Sequence, residues 1–204
     1  MTSQLTVLSE DQRDALQELM NVAMGQSADR LARLTGTFVT LSVPRVHAVT
    51  QTLDKVLTDL GIGDEPQLVT RQSFLGKLRG EVLVCFAVSG AGELAELMGY
   101  ENNDVASGDE LLMDVTNILT GACINGLAAQ IQAMVSFGAP SLMARAKALR
   151  EVLAEQIAQG YQSLVLEVRF EVASHSFTCD LLVCITDDSV AVVIEAVDKL
   201  LSEF

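Results

Sequence analysis

Small and apolar residues recur at Leu16, Leu19, Met20, Ala23, Ser27, Leu31 and Leu34. That spacing is close to 3.6 and predicts an amphipathic helix. Ser9-Glu-Asp-Gln12 has the form of a capping box, which sets the helix start, and Gly36 sets its end. The pattern then changes. TFVTLSVP (37–44) reads as a strand running into proline, and VTQTLDKVLTDLG (49–61) as a short helix before the turn-like GIGDEP. QLVTRQSFLGKL and GEVLVCFAV read as two strands separated around Arg79-Gly80. SGAGELAELMGY (89–100) reads as a helix, and the polar, turn-rich ENNDVASGD (101–109) as a connector and boundary.

The same order then returns. Ser107-Gly-Asp-Glu110 has capping-box form and introduces a long helix to about Ile131. VSFGAP (135–140) is a short strand into proline, and MARAKALREVLAEQIAQ (143–159) reads as a helix. QSLVLEVRFEVAS and FTCDLLVCITD alternate as strands, and SVAVVIEAVDKLLSEF (189–204) closes as a helix. Asn21 and Asn117 are offset by 96 positions, as are Pro44 and Pro140, and VLVCFAV matches LLVCITD at an offset of 99. The pattern predicts an α/β fold: one domain over 1–204 made of two repeats, about 9–100 and 105–204. The βαβ-like halves would be related by a pseudo-two-fold and share one sheet, since each alone has few strands for its helices to cover.

Composition narrows the function classes. The chain has 204 residues, half of them apolar, so it is globular and not disordered. Its net charge is −14, and its 13 basic residues form no cluster. Nucleic acid and anionic membrane both need a basic footprint, so neither is an expected partner. The N-terminus lacks the form of a signal peptide and no run of 18 apolar residues occurs, so a cytoplasmic location is expected. Cys85, Cys123, Cys179 and Cys184 form no CxxC pair. Cys85 and Cys184 lie in apolar runs and read as small buried hydrophobes, while Cys179 and Cys184, five apart, fall on opposite faces of a strand. Reduced thiols fit the same compartment.

The polar faces of the two long helices carry the candidate chemistry. With Asp14 at zero on a wheel of about 100° per residue, Glu18 falls near 40°, Asn21 near −20° and Gly25 near 20°. Glu110, Asp114, Asn117 and Gly121 give the same wheel in the second helix. A solvated helix face accounts for acids near a helix start. It does not ask for asparagine, a mediocre helix former, at the same place twice, nor for a glycine one turn later. A glycine there costs about 1 kcal/mol of helix propensity and leaves room for another surface to approach closely. A carboxamide can hold a water by its acceptor end while its donor end meets a phosphoryl oxygen. Positioning of that kind is most of what phosphoryl transfer asks of a protein. A carboxylate one turn earlier can pair with a lysine of a partner. The stripe has no histidine and no metal set, so it is an incomplete active site, completed by the partner.

The pattern Asp14-x3-Glu18-x2-Asn21-x22-Pro44 resembles the signature of the CheC/CheX/FliY aspartyl-phosphate phosphatases of bacterial chemotaxis. In the second half Asn117 and Pro140 match at the same spacing, with Asp114 where the family has Glu and Glu110 where it has Asp or Ser. The resemblance covers nearly the whole chain, and two motifs in about 200 residues look like CheC. It implies a central antiparallel sheet with the two motif helices on one side. It also implies hydrolysis of the phosphoaspartate of a receiver-type, CheY-like response regulator, in chemotaxis or related two-component signalling. Glu18 and Asp114 would pair with the receiver's lysine, and Asn21 and Asn117 would orient the attacking water. Asp14, Pro44, Glu110 and Pro140 would support the motifs, and Gly25 and Gly121 would allow close approach. The Mg²⁺ would belong to the receiver, with no cofactor or metal site of the chain's own. Asp114 reaches about 1.5 Å less than a glutamate, so the first site is expected to be the stronger.

The alternative is a non-catalytic module of the same fold, docking a response regulator, a CheD-type deamidase or a flagellar switch component. Other chemistries find little support. His47 and His175 stand in no metal-ligand spacing and read as structural. No GxSxG occurs, and Gly61-Ile-Gly63 does not continue as a dinucleotide loop. Aromatic residues are 4 % of the chain, with no tryptophan, too few for a base-stacking platform. The methionines at 20, 24, 113 and 134 read as core.

Overall fold

The computed structural model describes residues 8–48, 65–88, 91–98, 105–158, 164–173 and 177–202. The expected helix over 49–61 and residues 61–64 of the turn after it lie outside them, as does His175, while Pro66, the last residue of that expected turn, already belongs to a strand. The first helix, α1, spans Glu10–Thr35. Its capping box is formed: the Ser9 hydroxyl accepts from the Gln12 amide at 3.2 Å, and the Ser9 amide donates to the Gln12 side chain at 2.9 Å. Gly36 closes it with φ of 65°, a left-handed conformation that glycine adopts freely. Two short strands, β1 (Val39–Leu41) and β2 (Arg45–Ala48), flank the Pro44 turn. The strand expected over 37–44 is thus shorter, and a second strand follows the proline.

β3 (Pro66–Gly76) and β4 (Gly80–Ala87) form a hairpin, followed by α2 (Ala91–Leu97). The second long helix, α3, spans Val105–Gln130. It begins before Ser107, so the capping box expected there is not its start. After β5 (Val135–Phe137), residues 141–148 form strand β6, and only Leu149–Ala158 are helical, as α4. The expected helix over 143–159 is therefore wrong in its first third. The helix-forming MARAKA segment is overridden because β3 offers it a strand edge, and β6 takes that edge with shifted register and a positive φ of 50° at Ala146. β7 (Leu164–Val172), β8 (Thr178–Ile185) and α5 (Asp187–Leu201) complete the chain.

All eight strands join one antiparallel sheet in the order β1-β7-β8-β4-β3-β5, with β2 also on β7 and β6 also on β3. The apolar β4 and β8 hold the centre, buried on both faces. Each outer pair comes from the other half of the chain: β1 and β2 pair with β7, and β5 and β6 with β3. The register also defines a correspondence. Leu41 faces Phe170 and Phe137 faces Phe74, so an offset of 96 carries one pair of strands onto the other.

The two long helices lie on one face of this sheet with α5, their core built on Leu16, Met20, Met24 and Leu31 with Val115, Leu119 and Ile124. On the opposite face α4 packs Leu149, Val152 and Leu153 over Val69, Leu83, Cys85, Leu182 and Cys184. Cys179 belongs to the first face and Cys184 to the second, the opposite-face placement that their odd spacing requires. Gly108–Gln130 of α3 is long and apolar enough to cross a membrane by composition, but 67 % of its most apolar window is buried within the protein.

α1 and α3 cross closely. A Cβ on Gly126 would meet Ala23 at 3.0 Å, so glycine there sets the crossing distance. Gln130 Nε2 donates to the Leu19 carbonyl at 2.8 Å, and Ser27 Oγ to the Leu119 carbonyl at 3.4 Å. These pairings run the helices antiparallel. Asn21 is level with about residue 128, so Asn117 lies about 16 Å further along the axis.

Candidate functional site

Asp14, Glu18 and Asn21 are all exposed, on the side of α1 turned away from Leu16, Met20 and Ala23. With Gln17 and Val43 they line one shallow groove of about 200 Å³. Val43 is 73 % exposed, and the adjoining Pro44 is buried, which anchors the segment that forms the far wall. The spacing of 22 residues between Asn21 and Pro44 thus has a structural meaning. The helix must run to Gly36 and the chain must return through β1 before the turn reaches the motif. The side chains of Asp14, Glu18 and Asn21 make no hydrogen bond to the described residues, so their polar ends are free for an external group. Gly25 is exposed, and a Cβ there would meet nothing within 4 Å. Nothing among the described residues requires the glycine.

Glu110, Asp114 and Asn117 are likewise exposed on α3, and Gly121 is open in the same sense. Here the surroundings differ. Gln72, on β3 and 1 % exposed, donates from Nε2 to Asn117 Oδ1 at 2.8 Å and to the Gly138 carbonyl at 2.9 Å. Gly138 opens the turn that leads to the half-buried Pro140. One side chain of the sheet therefore ties the motif asparagine to the motif proline's turn. One residue before Asn117, Thr116 donates to the Leu112 carbonyl at 2.7 Å and meets the hydroxyl of Thr70, two residues before Gln72. Asp109 pairs with Arg145, tying the start of α3 to β6; Arg145 is half exposed, so solvent screening leaves the pair little to add to stability.

Gln72 escaped sequence reasoning, although β3 held a signal. Thr70, Gln72 and Phe74 alternate on one face, and Phe74 places that face in the core. Polar residues at such positions require partners. The offset of 96 carries Thr70, Gln72 and Thr116 to Leu166, Val168 and Met20, so the sequence of the other half repeats none of these polar groups. The turns themselves are held alike: Gly138 N donates to Ser73 O, and Ser42 N to Arg169 O, each at 2.9 Å.

Among the described residues, no three His, Cys, Asp or Glu side chains converge as a metal site. The side chain of His47 lies outside the described set. The four cysteines are free and buried. Burial holds every thiol above its ordinary range, and that of Cys184 is pushed up to about 12 by burial and then by Glu81. None is poised as a nucleophile. Another hollow, of about 480 Å³, is lined by Lys77, Gln130, Glu195 and Lys199 between the end of α3 and α5, apart from both motifs.

Residues 12–47 match the model of the CheC-like family, a span that contains Asp14, Glu18, Asn21 and Pro44. Solved structures extend the likeness to the whole fold. FliY from Thermotoga maritima superposes with a TM-score of 0.68 at 17 % identity, over 95 % of this chain and 99 % of that one. The chemotaxis protein CheX from Desulfovibrio desulfuricans gives 0.56 at 15 % identity, over 82 % and 99 %. The chain has the CheC-like fold and carries a CheC-like first motif. A chain of a FliG–FliM complex from H. pylori gives 0.62 at 11 % identity, over 92 % and 100 %. No curated protein matches the sequence. The sheet, with α1 and α3 on one side, has the architecture that the motif resemblance implied.

Proposed function

We propose that this CheC-like chain is a cytoplasmic phosphatase acting on the phosphoaspartate of a CheY-like response regulator, in chemotaxis or related two-component signalling. One observation carries the reading: Asp14, Glu18 and Asn21 share an open groove beside the Pro44 turn, and their polar ends have no partner within the described chain.

The chemistry assigns the roles. A carboxylate repels a phosphoryl group, so Glu18 meets a cation, the receiver's lysine, and holds the two proteins in register. Asn21 is neutral and has both a donor and an acceptor. Its NH₂ contacts a phosphoryl oxygen and its Oδ1 takes a hydrogen of the attacking water, which aligns that water for in-line displacement. The water oxygen bonds to phosphorus as the bond from phosphorus to the aspartyl oxygen breaks. The aspartate leaves as a carboxylate and needs no acid, and the water's proton departs with inorganic phosphate. The receiver's Mg²⁺ supplies charge neutralisation at the phosphoryl oxygens. Asp114 and Asn117 repeat these roles with a shorter carboxylate, Asp14 and Glu110 flank the pairs, and Gly25 and Gly121 leave space for the receiver's surface.

A second reading is a docking module for a receiver, a CheD-type deamidase or a flagellar switch component. The chain of a FliG–FliM complex with this fold favours it. Asn21→Ala with Asn117→Ala separates the two. Phosphate release from a phosphorylated receiver with Mg²⁺ is lost in a phosphatase, whereas a docking module never accelerates that release and binds as well after substitution.

A further inference from the structure

The Gly138 carbonyl can only accept, so the Gln72 atom facing it is the NH₂ nitrogen. That same nitrogen faces Asn117, which must therefore present its carbonyl oxygen to Gln72. The orientation of the Asn117 amide follows without any choice of convention. Its NH₂ is the end left for a ligand, and one lone pair of Oδ1 stays open.

Gln72 holds this arrangement at a cost. It is 1 % exposed, and its own Oε1 is buried with no hydrogen-bond partner among the described residues. A buried carbonyl left unmade is unfavourable, and an apolar residue of the same shape would avoid the loss. The corresponding residue of the other half is Val168. Packing alone therefore gives no reason for a glutamine at this place, whereas a carboxamide that must be aimed does.

We propose that Gln72 is a positioning residue that fixes the Asn117 carboxamide with its NH₂ turned outward toward a phosphoryl oxygen. The proposal rests on the phosphatase reading for its consequence, not for its geometry. The terminal torsion of an asparagine is broad and two-fold. Asn21 searches that torsion in every encounter, while Asn117 is already aligned. The second motif, with the shorter Asp114 carboxylate, is compensated by a better-ordered asparagine.

Two readouts test this on the full chain, comparing wild type with Gln72→Met, which keeps the volume and removes the amide. In ¹⁵N relaxation of side-chain amides, Asn117 is expected to be ordered in wild type and as mobile as Asn21 in Gln72→Met. In receiver dephosphorylation by the Asn21→Ala protein, adding Gln72→Met is expected to lower kcat about three- to tenfold with KM unchanged. The melting temperature should hold or rise, since the orphaned carbonyl is gone. An Asn117 amide as mobile as Asn21 in wild type overturns the proposal. So does a Gln72→Met protein that merely melts earlier with kcat intact, or an Asn21→Ala protein with no activity when wild type is active. If no variant hydrolyses any receiver, the phosphatase reading falls, and the positioning by Gln72 stands or falls on the amide order alone.

Discussion

Asn21 and Asn117 occupy corresponding positions on two antiparallel helices, and each has a proline turn nearby. Asn21 faces an open groove with its carboxamide unattached. Asn117 is attached through Gln72 to the Gly138 turn, and the adjacent Thr116 to Thr70. The difference shows that one motif can be presented in two ways, with its carboxamide hydrogen-bonded to the sheet or with no bond to the described residues. The feature that decides between them sits in the sheet, not in the motif. Carboxylate length runs the other way: the free asparagine accompanies Glu18 and the fixed one Asp114.

The largest expected effects are those that remove both sites together. The four thiols stay protonated in the fold and ionise in the unfolded chain above about pH 8.5. Their folded pKa values are raised, so their contribution is complete below that pH. It is lost as pH rises toward about 12, the value for Cys184, because the unfolded state then binds fewer protons. Stability should fall by roughly 1 kcal/mol per thiol for each pH unit within that window. Urea melts at pH 7.5 and 9.5 measure this, and an equal midpoint at the two would contradict it.

Gly126→Val comes next. It drives a side chain into Ala23 at the helix crossing and should cost about 1–3 kcal/mol in thermal melts. If it silenced one site alone, the two helices would not be a shared support. Ser9→Ala removes the capping box of α1 and should cost about 1 kcal/mol, whereas Ser107→Ala, inside α3, should not. The smallest effect is confined to the second site. In a Glu18→Ala background, which weakens docking at the first site, Asp114→Glu should tighten receiver binding a few-fold, about 1 kcal/mol or less for an exposed ion pair. An unchanged Kd would show that Asp114 does not meet the receiver's lysine.

Much of this molecule was legible where a local rule acted alone. The Ser9 capping box and Gly36 bounded α1, and the apolar runs around Cys85 and Cys184 marked the central strands. The stripe of Asp14, Glu18 and Asn21 was legible because a helical wheel is enough to find it. What escaped depended on partners distant in sequence. β2 and β6 are outer strands of mixed composition, and each forms because a strand from the other half offers it an edge. MARAKA carries helix formers and is strand all the same. Ser107 looked like a cap, but α3 starts two residues earlier. Gln72 lies 45 positions from Asn117, and no spacing rule connects a strand residue to the helix above it.

The central claim is that these carboxamides hydrolyse phosphoaspartate. The measurement that meets it most directly is the single-turnover decay of a phosphorylated CheY-like receiver with Mg²⁺. Wild type, Asn21→Ala, Asn117→Ala and the double variant would be compared side by side. Wild type should shorten the lifetime, each single variant should do so less, and the double variant should fall about 100-fold toward the receiver's own rate. A double variant as fast as wild type, or a wild type that binds the receiver and leaves its lifetime unchanged, would contradict the claim.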